Sequence, residues 1–299
     1  MVLANLFDSN SSFKVILYII STHFWRKSLG LARIIGKLPH QVLGQFMILN
    51  FEHTPAQNAT QAPVVLIHGL FGSIGNLGVI ARALQENRDT IQVDVRNHGH
   101  SGRSAEMNFK DLAQDILDTL EHLQIDQFSV IGHSMGGKIA MELADLAKDR
   151  LQQLVVLDMA PYAYQENHHD EIFKALMAVQ NGQAENRQQA TEIMQQYIKE
   201  PMVNQFLLRS FQKGQWLFNV DALYTNYANI LDWNEISAWP QPALFIRGGR
   251  SGYLTQAAQV EALQKQFPLA TLKTIEHAGH WLHAEQPQLV IEEIKSYLN

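Results

Sequence analysis

From position 47 onward, the apolar residues of this chain arrive in short continuous runs. VVLI (64–67), TIQVDV (90–95), FSVIG (128–132), LVVLD (154–158), ALFI (243–246) and TLKTI (271–275) are rich in β-branched or aromatic residues. Runs of that length bounded by turn residues predict strands. Positions 64–67 and 154–157 contain no polar residue, as expected of strands covered on both faces. Between the runs the spacing becomes helical. Leu112, Ile116, Leu120 and Leu123 share one helical face, and Ala140, Leu143, Ala144 and Ala147 share another. Strands alternating with helices predict an α/β fold, a mostly parallel sheet flanked by helices. The rhythm breaks between Pro161 and Pro240, where no convincing strand is seen and helical segments such as 170–180 and 187–199 follow one another. The pattern predicts one domain over 47–299 with a helical insertion at about 161–240. That insertion is placed to cap the carboxyl edge of the sheet, where open α/β sheets bind ligands.

Composition narrows the function without naming it. Of 299 residues, 46% are apolar and 17% charged, which is enough for a sizeable core. The formal charge of −6 is spread along the chain, and no Lys/Arg run marks a nucleic-acid face. The absence of Cys removes disulfides, thiolate metal sites and a Cys nucleophile together. Residues 1–46 differ in character. The apolar run at 15–20 is far shorter than the roughly 20 residues a spanning helix needs. His23, Arg26 and Lys27 follow that run, the reverse of a signal peptide, so a cytoplasmic setting is expected. The preferred reading of 1–46 is a loosely attached extension, or a true start at Met47. A basic amphipathic membrane anchor across 26–37 is the less favoured alternative.

The chemistry is concentrated in FSVIGHSMGG. A β-rich run feeds Gly132-His133-Ser134-Met135-Gly136, and a helical pattern follows at once. This is G-x-S-x-G in strand–turn–helix context, the arrangement that lifts a serine hydroxyl above a sheet. Small residues are needed there because the turn is sharp, and the helix N-terminus that follows favours a developing negative charge. His68-Gly69-Leu70-Phe71-Gly72 follows the first buried strand and is positioned to supply a second main-chain donor. The amides of Leu70 and Met135 are therefore assigned to an oxyanion hole. His68, Phe71 and Trp281 are expected to line the substrate pocket. DVRNHGHS (94–101) reads as a structural loop framing that pocket. His98 and His100 within it are not expected to hold a metal, because no third ligand accompanies them.

A base should follow the last strand, where His277, His280 and His283 compete in IEHAGHWLHAEQP. HGLFGS, DVRNHG, GHSMGG and AGHWLHAE, in that order, resemble the small bacterial YbfF-type esterases of the α/β-hydrolase superfamily, relatives of the mitochondrial α/β-hydrolase-domain proteins. The resemblance covers roughly 47–299. It implies that His280 is the base and that the fold is the α/β-hydrolase fold with a helical cap. In most proteins of that fold an Asp follows the strand written here ALFIRGG, but this chain has Ser251 in its place. A Ser cannot carry the charge that stabilises an imidazolium. The nearest substitute is Asp158 at the end of LVVLD, and the YbfF-type esterases resemble this chain in that swap. Asp158 is read as the acid and Ser251 as an auxiliary to His280. The competing readings make Asp158 a turn cap and Glu276 the acid.

The implied reaction is acyl transfer by a Ser-His-Asp mechanism, with neither metal nor organic cofactor. The resemblance suggests small acyl esters or acyl-CoA thioesters as substrates. Phe173, Phe206, Phe211, Trp216, Phe218 and Tyr224 are candidates to line an acyl pocket, although such residues more often form a cap's own core. Two rivals stay open: C–C bond hydrolysis on the same scaffold, and a non-catalytic ligand receptor.

Overall fold

The computed structural model describes residues 47–167 and 169–299. The readings of 1–46 as an extension or a membrane anchor lie outside the described residues. Seven strands form one sheet in the order β1-β3-β2-β4-β5-β8-β9. They are β1 (Phe51–Thr54), β2 (Val64–Ile67), β3 (Thr90–Val93), β4 (Phe128–His133), β5 (Leu151–Leu157), β8 (Ala243–Gly248) and β9 (Ala270–Ile275). All neighbours are parallel except β1, which runs antiparallel to β3 at the edge.

Successive residues of a strand face opposite sides of the sheet, and here both sides are covered. Val65 and Ile67 of β2 join a core with Val130, Val156 and Phe245. Helices α2 (Phe109–His122) and α3 (Met135–Ala147) supply Leu112, Ile116, Ala140 and Leu143 to the same core. Val64 and Leu66 point the other way, into a core shared with Ile80 of α1 (Gly78–Leu84) and Ile294 of α11 (Pro287–Leu298). Helices α9 (Ala257–Gln266) and α10 (Leu282–Glu285) complete the frame. All six strands read from the sequence are present, with ends shifted by a few residues. TIQVDV stops at Val93; the next residue, Asp94, donates its main-chain N–H to Asn50 O and accepts hydrogen bonds from Ile74 N and His100 N through its carboxylate.

Two features differ from the pattern-based expectation. Strand β1 was not anticipated: its four residues are half-buried to exposed and carry no apolar run. The insertion holds helices α4 (Asp170–Asn181), α5 (Arg187–Met194), α6 (Pro201–Leu208), α7 (Val220–Thr225) and α8 (Tyr227–Leu231), as predicted in kind. It also contains a ribbon, β6 (Phe211–Gln212) and β7 (Gln215–Trp216), where no strand was expected. Two-residue strands leave no periodicity to read; the signal lies in the turn, where Lys213 and Gly214 both have positive φ (50° and 75°).

The insertion is tied down by buried polar contacts. Lys138 of α3 is 1% exposed and donates to the carbonyls of Ile230, Leu231 and Asp232 at the end of α8. Arg103 donates to Leu217 O, and Asn219 N donates to Asn97 O. These bonds fix the insertion at Leu217–Asn219 against the loop after β3 and at Ile230–Asp232 against α3.

Candidate active site

The chain leaves β2 for β3 on one side and then returns to β4 on the other side of β2. Two loops leaving adjacent strands in opposite directions open a crevice at their carboxyl ends. The loop after β2 is H-G-L-F-G, and the turn after β4 is Ser134. A Cβ placed on Gly69 would lie 3.2 Å from Ser134 Cβ, which measures how closely the two loops meet.

Ser134 occupies the turn between β4 and α3 with φ 55° and ψ −120°, a conformation that non-glycine residues rarely adopt. The flanking glycines make it attainable. A Cβ at Gly132 would stand 2.1 Å from Gly136 O, and one at Gly136 would stand 2.3 Å from Ile67 O. Any side chain at either position would collide with main chain. The turn directs the Ser134 hydroxyl to His280 Nε2 at 2.9 Å. On its far side, His280 Nδ1 donates to Asp158 Oδ2 at 2.6 Å.

Asp158 is fully buried at the end of β5, with φ 53°. Three donors meet its carboxylate, as a buried charge requires. They are His280 Nδ1, Gly248 N at 2.9 Å, and the Ser251 hydroxyl, which shares Oδ2 with the imidazole. Ser251 therefore bonds the carboxylate and not His280, which corrects its expected partner. Glu276 is exposed and has no hydrogen bond to His280. His277 is likewise exposed.

The amides assigned to the oxyanion hole are both uncommitted. Neither Leu70 N nor Met135 N donates to an acceptor among the described residues. The neighbouring amides are taken: Phe71 N donates to His98 Nε2 at 3.1 Å, and Gly72 N to Gly69 O at 3.0 Å. His98 is buried and its Nδ1 donates to Arg96 O, so it braces the loop from beneath. His68 does the same, with Nδ1 donating to Gly69 O and Nε2 accepting from Val95 N. Both of its ring nitrogens are spent on main chain, so His68 shapes the loop and offers no polar contact to a substrate. Sequence reasoning missed both braces. Among the described residues no group of side chains is arranged to hold a metal.

His133, between Gly132 and Ser134, donates through Nε2 to His280 O at 2.9 Å and so ties the elbow to the loop that carries His280. His283 packs edge-on against His133 with ring centroids 4.4 Å apart. Burial lowers the pKa of His68, His98 and His133, and it pushes His283 down to about 4. Each folded-state value lies below that of an exposed imidazole, so on acidification the unfolded chain binds protons first. Stability is then full above about pH 6.5 and is lost as the pH falls, by up to about 1.4 kcal/mol per pH unit for each such histidine. The melting temperature is expected to drop by several degrees or more between about pH 7 and pH 5. A flat profile by calorimetry over that range would contradict neutral burial.

The cleft above Ser134 measures about 550 Å³ including its open mouth. Leu70, Phe71, Ile172, Val203, Phe206 and Trp281 give it apolar walls. Phe206 and Trp281 face each other across 5.6 Å. Of the six aromatic candidates in the insertion, only Phe206 reaches the cleft. Phe173, Phe211, Trp216 and Phe218 are buried in the insertion's own core, and Tyr224 is exposed. Phe71 lines the cleft while its ring packs against Phe173 and Phe218, each 5.3 Å away.

Comparison with known proteins gives the family and the fold. Residues 62–287 match the family described as alpha/beta hydrolase fold. The chain is 50% identical over 254 residues to Esterase YbfF of Escherichia coli K12, covering 85% of this chain and all of that protein. It is 32% identical to the sn-1-specific diacylglycerol lipase ABHD11 of Mus musculus, over 81% of this chain and 82% of the lipase. A solved structure titled "Marine microorganism esterase" superposes with a TM-score of 0.79 at 31% identity, covering 84% of this chain and 100% of that one.

Proposed function

This chain belongs to the α/β-hydrolase-fold family, and from that premise we propose how it hydrolyses ester bonds: Ser134 attacks, His280 moves the proton and Asp158 holds the base. One observation carries the assignment, the unbroken relay from Asp158 Oδ2 through His280 to Ser134 Oγ, with steps of 2.6 and 2.9 Å. His280 Nε2 takes the Ser134 proton as Oγ adds to the ester carbonyl. The oxyanion is held by the Leu70 and Met135 amides, which need not break other bonds to receive it. The imidazolium then returns its proton to the departing alcohol, leaving an acyl-serine. Water, deprotonated by the same nitrogen, releases the acid and restores Ser134. Asp158 keeps Nδ1 protonated throughout, so that Nε2 presents its lone pair to the serine.

Small neutral esters fit the cleft better than acyl-CoA thioesters. Among the described residues lining it there is no Lys or Arg to meet the phosphates of coenzyme A. An anionic head group would lose hydration without gaining a counter-ion. A cytoplasmic setting is part of the same proposal. Passive ligand binding does not explain why the serine, imidazole and carboxylate sit in hydrogen-bonding register, and C–C cleavage, which would use the same relay, is less favoured because the chain is 50% identical to a protein named as an esterase.

A panel of p-nitrophenyl esters of graded chain length, run beside acyl-CoA thioesters of matching acyl groups, tests the substrate class. Short and medium p-nitrophenyl esters are expected to exceed the thioesters in kcat/KM by at least about tenfold. Equal or higher kcat/KM for acyl-CoA would reverse the order and point to a cationic contact elsewhere.

A further inference from the structure

We propose that Tyr253 is a positioning residue for the base, its ring lying against the face of His280 and favouring the imidazolium that forms as the base takes a proton. The inference rests on the reading of His280 as that base. The two ring centroids are 4.1 Å apart with planes inclined by 26°, a stacked contact. The face of an aromatic ring attracts a cation and does less for a neutral partner. The contact therefore strengthens as His280 gains charge in both half-reactions, and an interaction stronger in the transition state raises kcat without tightening substrate binding.

The ring is held in place by contacts on several sides. Tyr253 O accepts from the Tyr164 hydroxyl at 2.5 Å, and the Tyr164 ring stands edge-on to Tyr253 at 5.4 Å. Tyr164 is anchored in turn by Ala160 N, which donates to its hydroxyl at 3.1 Å. Tyr253 N donates to Ser251 Oγ at 3.3 Å, and Ser251 donates to the Asp158 carboxylate. The turn after β8 thus grips the acid and the base of the relay without supplying the acid: Ser251 meets the carboxylate and Tyr253 meets the imidazole. Burial pushes the Tyr253 phenol up to about 12, so the ring stays uncharged at neutral pH. The other titratable groups around His280 are Asp158 at Nδ1, Ser134 at Nε2, and the rings of His133 and His283. Burial holds both histidines below the usual imidazole range.

The test compares Tyr253→Phe, Tyr253→Leu and Tyr253→Met with the parent protein, using p-nitrophenyl butyrate across the pH range. Tyr253→Phe keeps the π face and is expected to hold kcat within about twofold, with the acidic limb of kcat/KM unmoved. Tyr253→Leu keeps apolar bulk without the ring. It is expected to lower kcat about tenfold, leave KM within about twofold, and move the acidic limb to lower pH by about one unit, the same free energy read two ways. The sign follows because an imidazolium that loses a stabilising contact gives up its proton more readily. Tyr253→Met is a second ring-free variant and is read in the same way should Tyr253→Leu melt early. An acidic limb that stays in place in a folded ring-free variant overturns the proposal, because lost packing alone does not choose between protonation states. A loss in Tyr253→Phe as large as in Tyr253→Leu overturns it too and moves the role to the hydroxyl. His280→Gln is assayed alongside: retained turnover there sinks the base assignment itself, whereas an inactive His280→Gln with unmoved limbs sinks only the role of Tyr253.

Discussion

Ser134→Ala is expected to lower kcat on p-nitrophenyl butyrate by about a million-fold, to the level of the oxyanion hole and binding alone. The loss is large because the remaining parts of the relay act only through the serine oxygen. His280 Nε2 then has no nucleophile to deprotonate, and the Asp158 contact on the other nitrogen has nothing to support. Stability should change little. Alanine meets the same strain at φ 55° as serine, and the glycines that permit the turn are untouched. A melting temperature within a degree or two of the parent would show that the loss is chemical. Retention of more than a few per cent of the parent rate would remove Ser134 from the nucleophile's role.

Asp158→Asn is expected to cost about ten-thousand-fold in kcat with KM nearly unchanged, because an amide can hold the wrong imidazole tautomer. The structure makes this substitution a clean test. Asp158 has φ 53°, and Asn is among the few residues that tolerate that region, so the backbone need not move. An amide oxygen can still accept from Gly248 N. Ser251→Ala removes one hydrogen bond to the carboxylate and should cost only about tenfold. Since Ser251 Oγ shares Asp158 Oδ2 with the imidazole, adding Ser251→Asp to Asp158→Asn brings a carboxylate within reach of Nδ1 and should recover part of the rate. A near-parental kcat for Asp158→Asn would return Asp158 to the role of a turn residue.

The parts of this site that were legible in the sequence are those that impose local constraints. Gly132 is forced by a main-chain collision within the elbow, where an added Cβ would meet Gly136 O, so the motif marks the serine wherever a strand leads into it and a helix leads out. The strands at 64–67 and 154–157 are buried on both faces, which leaves a solid apolar run. Contacts between segments distant in the chain leave no such mark. Ser251 was recognised as standing in the acid's usual place, but nothing in the sequence says whether its hydroxyl meets the carboxylate or the imidazole. His68 and His98 were read as pocket wall and loop residue, yet both are buried braces whose nitrogens are used by main-chain groups. A histidine hydrogen-bonded to backbone looks no different in sequence from one in water. Tyr253 escaped notice for the same reason, since its stacking partner lies beyond strand β9. In the insertion, aromatic residues at helical spacing could face the cleft or each other. Packing the insertion's own small core claimed four of the six.

The central claim is that Ser134 is the atom-donating nucleophile of an ester hydrolase, and covalent trapping tests it most directly. The full chain is treated with a fluorophosphonate, and the adduct is located by peptide mass spectrometry. One adduct per chain is expected, on the peptide containing Ser134, forming at the rate at which esterase activity disappears and slowed by a competing ester. His280→Gln should suppress the labelling, because the serine then lacks its base. An adduct on another residue, or complete loss of activity with Ser134 unmodified, would contradict the account.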